Sequence, residues 1–136
     1  ARERDAGLLF ISHDLGIVRH ISDRVAVMYL GRIVEQGLTE SVWARPAHPY
    51  TRALMAAVPR HDGSGLLPVA LEGEVPDPAR PPSGCRFHPR CPERIERCSD
   101  DVPLLASVGD GHDAACWVAA QLVAKPVQLT DKEDLS

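Results

Sequence analysis

Leu8-Leu9-Phe10-Ile11-Ser12-His13-Asp14-Leu15 sets a short, unbroken apolar run directly ahead of three polar residues, with Gly7 before it. A run of this kind, with no polar alternation, predicts a strand buried on both faces, as in a parallel sheet. Asp14 predicts the start of a helix, because its carboxylate can accept from free N–H groups of the first turn. Leu15, Val18 and Ile21 then recur at helical spacing, with Arg19, His20 and Ser22 mostly on the other side. Val25-Ala26-Val27-Met28-Tyr29-Leu30 is a second strand-like run. Gly31 interrupts it before Arg32-Ile33-Val34-Glu35-Gln36 and Gly37, which predicts a hairpin or tight strand turn. Strand, helix and strand in this order give an α/β reading for residues 1–37.

Downstream the character changes. Of the 12 prolines, none precedes Pro46. Residues 38–60 predict two short helices. Thr39 is the expected N-cap of the first, which should stop near Arg45-Pro46. Pro49 suits the first turn of the second, where a missing N–H costs nothing. Tyr50, Ala53, Leu54, Ala57 and Val58 form its apolar stripe, and Pro59 should end it. Residues 61–83 read as a Pro/Gly-rich linker, with one possible strand around Leu66 to Leu71. All four cysteines fall in residues 84–118, and residues 119–136 read as a frayed helix and a charged tail.

Composition excludes several classes. Fifteen basic and 19 acidic side chains give a net charge of -4, against a general nucleic-acid coat. The longest apolar run is the seven residues from Ala114 to Ala120, far short of the ~20 that a bilayer span needs. No secretion signal opens the sequence, which favours a cytosolic setting with thiols reduced or metal-bound. The chain begins at Ala1 in a charged stretch and is expected to be a piece of something longer. A phosphate-cradling loop needs Gly-Lys-Ser/Thr, yet the only lysines are Lys125 and Lys132 and neither follows a glycine. A metal-and-acid hydrolysis site would show Asp-Glu after an apolar run, and no Asp-Glu dipeptide occurs. The chain by itself should therefore not hydrolyse a nucleotide.

His13 stands at the carboxyl end of the first strand-like run, the edge at which α/β sheets present ligand-contacting residues. A histidine there can donate to a phosphate oxygen; the plainer alternative is a surface loop histidine. Ser12-His13-Asp14 is not a catalytic triad, since three consecutive side chains cannot make the serial hydrogen bonds.

Phe10-Ile11-Ser12-His13-Asp14-Leu15, Ser22-Asp23-Arg24-Val25-Ala26-Val27-Met28 and Gly31-Arg32-Ile33-Val34-Glu35-Gln36-Gly37 together resemble the end of an ABC-transporter nucleotide-binding domain. The resemblance implies a P-loop ATPase core whose last strands and helices lie here. It also implies that His13 is the switch histidine touching the γ-phosphate of ATP bound with Mg2+. Ala47-His48-Pro49-Tyr50-Thr51-Arg52-Ala53-Leu54 resembles the segment marking ATPase subunits of oligopeptide and dipeptide importers, with nickel importers as close relatives. Those subunits also carry a late cysteine module, matched here by Gly84-Cys85-Arg86-Phe87-His88-Pro89-Arg90-Cys91-Pro92, Cys98 and Ala115-Cys116. The implied partners are a second ATPase subunit, two membrane permease subunits and, indirectly, an extracytoplasmic peptide-binding protein. The implied place is the cytoplasmic face of the cell membrane. Read from the residues alone, His48-Pro49-Tyr50 and Trp43 are packing groups rather than ligand contacts.

Cys85, Cys91, Cys98 and Cys116 follow the pattern C-x5-C-x6-C-x17-C. No tight zinc knuckle and no redox C-x-x-C is present. Four cysteines suit an iron–sulfur cluster, and Cys91-Pro92 is similar to the Cys-Pro closing many ferredoxin motifs. Arg86, Arg90, Arg94 and Arg97 would offset the thiolate charge. A [4Fe–4S] centre is the first expectation and zinc on the same cysteines the second. Two disulfides, or four reduced thiols, remain the alternative. His88 and His112 are possible replacement ligands, although His88-Pro89 better suits a turn. The interleaved arginines and Phe87 also permit a small nucleic-acid module, which Glu93, Glu96, Asp100 and Asp101 dilute. Because the Leu8–Ile11 strand lacks parallel neighbours in this chain, residues 1–37 are expected to be less ordered alone than in the longer parent.

Overall fold

The computed structural model describes residues 6–58, 71 and 73–124 of the 136. Ten short elements follow one another: α1 (Leu15–Ile21), β1 (Arg24–Tyr29), β2 (Arg32–Leu38), α2 (Thr39–Ala44), α3 (Pro49–Ala56), a 3-10 turn (His88–Arg90), α4 (Arg97–Asp100), β3 (Ala106–Gly109), β4 (His112–Ala114) and α5 (Trp117–Ala124). The four strands make one sheet in the order β1-β2-β4-β3, and every pairing is antiparallel.

β1 and β2 form the expected hairpin. Its two-residue turn is Leu30-Gly31, with φ of 44° and 77°. Two consecutive left-handed residues give a turn whose twist matches that of the strands, and Gly31 takes the second position without a Cβ penalty. Leu30 does carry that penalty, and the Arg86 guanidinium, which donates to its carbonyl, helps hold it there. The register shifts between Val27 and Met28, where Val34 bulges from β2. Val27, Tyr29 and Val34 nonetheless face one buried cluster with Phe87.

The late strands complete the sheet. β4 pairs with β2 through Glu35–Ala114, Gln36–Asp113 and Gly37–His112. Gly37 is required there, since a Cβ would stand 2.4 Å from the Gly111 carbonyl oxygen. β3 and β4 join through Asp110-Gly111, with Gly111 at φ 60°.

The strand expected at Leu8–Ile11 does not form. Residues 7–11 have no regular structure, and Leu9 and Ile11 are 87% and 88% exposed. An apolar run becomes a buried strand only when neighbours pair with it and cover both faces. The sheet here is built from other residues, and none of its strands pairs with this run. Beyond this run, α1, β1 and β2 are regular. Asp14 does cap α1, accepting from the Ile17 N–H at 3.2 Å. Thr39 does not cap α2. Leu38 occupies that position, and the Thr39 hydroxyl bonds Ser22 Oγ at 3.1 Å. Strand β2 runs directly into α2, and the Thr39 N–H is already bound to the Asp23 carbonyl. Pro59 and most of the expected Leu66–Leu71 strand lie outside the described residues, as does the tail beyond Ala124.

Candidate functional site

His13 is exposed at the N-terminal side of α1. The Ser12 hydroxyl accepts from the Asp14 N–H at 3.0 Å, and Asp14 is used by its cap. The three side chains thus make local turn bonds, and His13 is left facing outward.

The His48-Pro49-Tyr50 segment is built into the core. The imidazole Nδ1 of His48 accepts from the Tyr50 N–H at 3.0 Å, so His48 is the N-cap of α3. Pro49 opens the helix where no N–H is needed. The Tyr50 ring lies 4.7 Å from Tyr29 and 5.5 Å from Phe87 between centroids, and His48 lies 5.7 Å from Phe87. Tyr29 meets Phe87 edge to face at 5.3 Å. These rings tie α3 and the hairpin to the loop between Cys85 and Cys91. Arg52 strengthens the tie with two bonds to the Glu93 carboxylate. Burial pushes the His48 imidazole down to about 4, against the pull of Glu35 and with a smaller push from Arg52.

Glu35 sits beneath this segment and is fully buried. One carboxylate oxygen accepts from the Ala47 N–H at 2.8 Å and from His112 Nε2; the other accepts from the His48 N–H at 2.9 Å. Three parts of the chain therefore meet on one side chain: β2, the entry to α3 and β4. Nothing local in the sequence marks Glu35, which reads as one more residue of a strand. Its signal is the distant His112, which is engaged here rather than directed at the cysteines. His88 is similarly engaged, with Nδ1 2.8 Å from the Cys85 carbonyl oxygen.

The four cysteines are free thiols. Gly84 lets the loop close on α4: a Cβ there would stand 2.4 Å from the Cys98 carbonyl, which accepts from the Cys85 N–H at 2.8 Å. Burial pushes the Cys91 thiol up to about 11 and raises those of Cys85 and Cys116. Cys98 and Cys116 add to the rise at Cys85, Cys116 and Cys85 to that at Cys91, and Cys98 to that at Cys116. Backbone N–H groups of Phe87 and His88, of Glu93, and of Ala119 and Val118 oppose it at Cys85, Cys91 and Cys116 respectively. Among the described residues, no three His, Cys, Asp or Glu side chains stand close enough as placed to hold a metal ion. No helix among them is long and apolar enough to cross a membrane.

The profile of the C-terminal region of oligopeptide/dipeptide transporters matches residues 34–98. That window holds most of β2, with Glu35, the His-Pro-Tyr junction and three of the cysteines. A probable peptide ABC transporter ATP-binding protein of Sinorhizobium fredii is 54% identical over 124 residues, 90% of this chain and 35% of that protein. A dipeptide transport ATP-binding protein of Haemophilus influenzae is 47% identical over 115 residues, 80% of this chain and 34% of that protein. A di/tripeptide transport ATP-binding protein of Pseudomonas aeruginosa is 46% identical over 116 residues, 85% of this chain and 36% of that protein. These relatives are transporter ATP-binding proteins, and that is the class the chain resembles. Within it, residues 34–98 carry the C-terminal region of the oligopeptide/dipeptide transporter family. It spans 34% to 36% of the length of these relatives.

Proposed function

We propose that this chain serves as part of the ATP-binding subunit of an ABC importer, coupling ATP hydrolysis to uptake of oligopeptides or dipeptides. The observation that carries the proposal is the match over residues 34–98, which includes a His-Pro-Tyr segment whose His48 and Pro49 are buried and whose half-buried Tyr50 ties α3 to the hairpin and the Cys85–Cys91 loop. In this reading His13 contacts the γ-phosphate of ATP bound with Mg2+ between two ATPase subunits. Its exposed position next to the cap of α1 suits a contact made to a nucleotide held mainly by other residues. Two permease subunits and, through them, an extracytoplasmic peptide-binding protein complete the machine, with this subunit at the cytoplasmic face of the membrane and no nucleic acid involved. The 136 residues lack the phosphate loop and the Asp-Glu acid, so hydrolysis belongs to the complete subunit. In that subunit, His13→Ala should abolish hydrolysis with ATP binding largely kept; normal turnover would overturn the assignment.

A second reading concerns Cys85, Cys91, Cys98 and Cys116, proposed as ligands of a [4Fe–4S] centre, with zinc second. The donor set is right in kind, and two observations support it. The Cys85, Cys91 and Cys116 thiols are each pushed up in part by a neighbouring cysteine, and backbone N–H groups aim at these three sulfurs. Ligation requires the four sulfurs to draw closer than they are placed. When bound, the centre would tie together a small region that has little core of its own. Protein purified without oxygen should carry about four iron and four sulfide per chain. About one zinc and no iron would select the second metal, and neither metal would overturn the reading.

A further inference from the structure

We propose that a cavity at the open end of the sheet binds a small monoanionic apolar carboxylate. β4 pairs with β2 only from Glu35 to Gly37, so the sheet loses its third strand beside Arg32 and Ile33. The space left there, about 320 Å³, lies between the hairpin and the segment 102–105. That size falls at the lower end of small-molecule sites, which run from about 300 to 1,000 Å³. Phe87 and Tyr29, both almost wholly buried, line it together with Ile33, Val102, Leu104 and Leu105. Leu104 is 77% exposed, and an apolar ligand lying against it would remove that surface from water.

Charge selects the ligand's head group. Among the described residues, the only charged side chains lining the cavity are Arg32 and Arg86. Neither is ion-paired among the described residues. Arg86 is already fixed by its bond to the Leu30 carbonyl, so little freedom is lost when it meets an anion. A guanidinium presents paired donors that match the two oxygens of a carboxylate. Among the described residues no Asp or Glu lines the cavity, so the ammonium of a zwitterionic peptide would find no counter-charge among them. An apolar chain ending in one carboxylate satisfies both the walls and the arginines.

The test is calorimetric titration of the 136-residue chain with decanoate, and with 1-decanol and Leu-Leu dipeptide as comparisons. Decanoate should bind saturably at one site, at least about tenfold tighter than either comparison. Arg32→Gln should weaken decanoate about tenfold and leave decanol unchanged, and Leu104→Asp should abolish binding of both. These two side chains are exposed, so both variants should melt as the parent does, which separates lost binding from lost fold. No saturable binding of decanoate, equal affinity for decanol, a dipeptide that binds more tightly, or parental affinity in both variants would overturn the proposal.

Discussion

Glu35 is the residue on which the structure depends most visibly. A carboxylate wholly removed from water is costly unless its lone pairs are met, and here two backbone N–H groups and an imidazole meet them. The cost of breaking such a group falls mainly on the partners left behind. Glu35→Ala would strand the Ala47 and His48 N–H groups and His112 together, for a loss of about 3–5 kcal/mol. Glu35→Gln keeps one acceptor oxygen and should lose about 1–3 kcal/mol. Urea midpoints of the two variants decide it; equal and small shifts would mean that the carboxylate is a bystander. Leu30 makes a complementary point. A leucine at φ 44° is tolerated because Arg86 binds its carbonyl from a residue 56 positions away.

Helix α3 shows the same dependence one level up. Its eight residues follow the His48 cap, whose ring nitrogen must be an unprotonated acceptor to hold the first turn. Burial lowers the folded pKa from 6.5 to about 4, so the folded state resists the proton that the unfolded chain accepts. The sign follows directly. The stability tied to this group is complete above about pH 6.5 and is lost as pH falls from there to about 4, by roughly 3 kcal/mol in all. His48→Asn caps without titrating, so the slope of stability against pH between 6.5 and 4 should flatten in that variant. An unchanged slope would assign the pH dependence to other groups. Among the elements, those with local signals were legible in the sequence. Asp14 marked α1, Gly31 marked the hairpin, and Pro49 marked α3. No strand is expected at β3 or β4, although Asp110-Gly111 is a strong hairpin signal, since the reading of residues 84–118 rests on their cysteines. Leu8–Ile11 is irregular in this chain, because apolarity alone does not supply the neighbours that cover a strand.

Taken whole, the molecule is a sheet whose two hairpins come from distant parts of the sequence, locked by aromatic rings around Phe87 and by the carboxylate of Glu35. The hairpins were readable in principle, but their union was not. It rests on Glu35 with His112, on Gly37 against Gly111 and on Tyr50 with Phe87, pairs that no local pattern connects. The His-Pro-Tyr segment was correctly expected to pack, while the role of His48 as a cap rested on geometry. Strand order also sets the timetable of assembly. A ribosome releases β2 long before β4, and His112 follows Glu35 by 77 positions. Until that stretch has been made, the nascent chain carries an open strand edge and a carboxylate with no imidazole to meet it. High contact order of this kind slows folding and exposes the intermediate to misassociation. Shielding by a chaperone, or by chain already folded upstream, therefore matters most between the synthesis of these two residues.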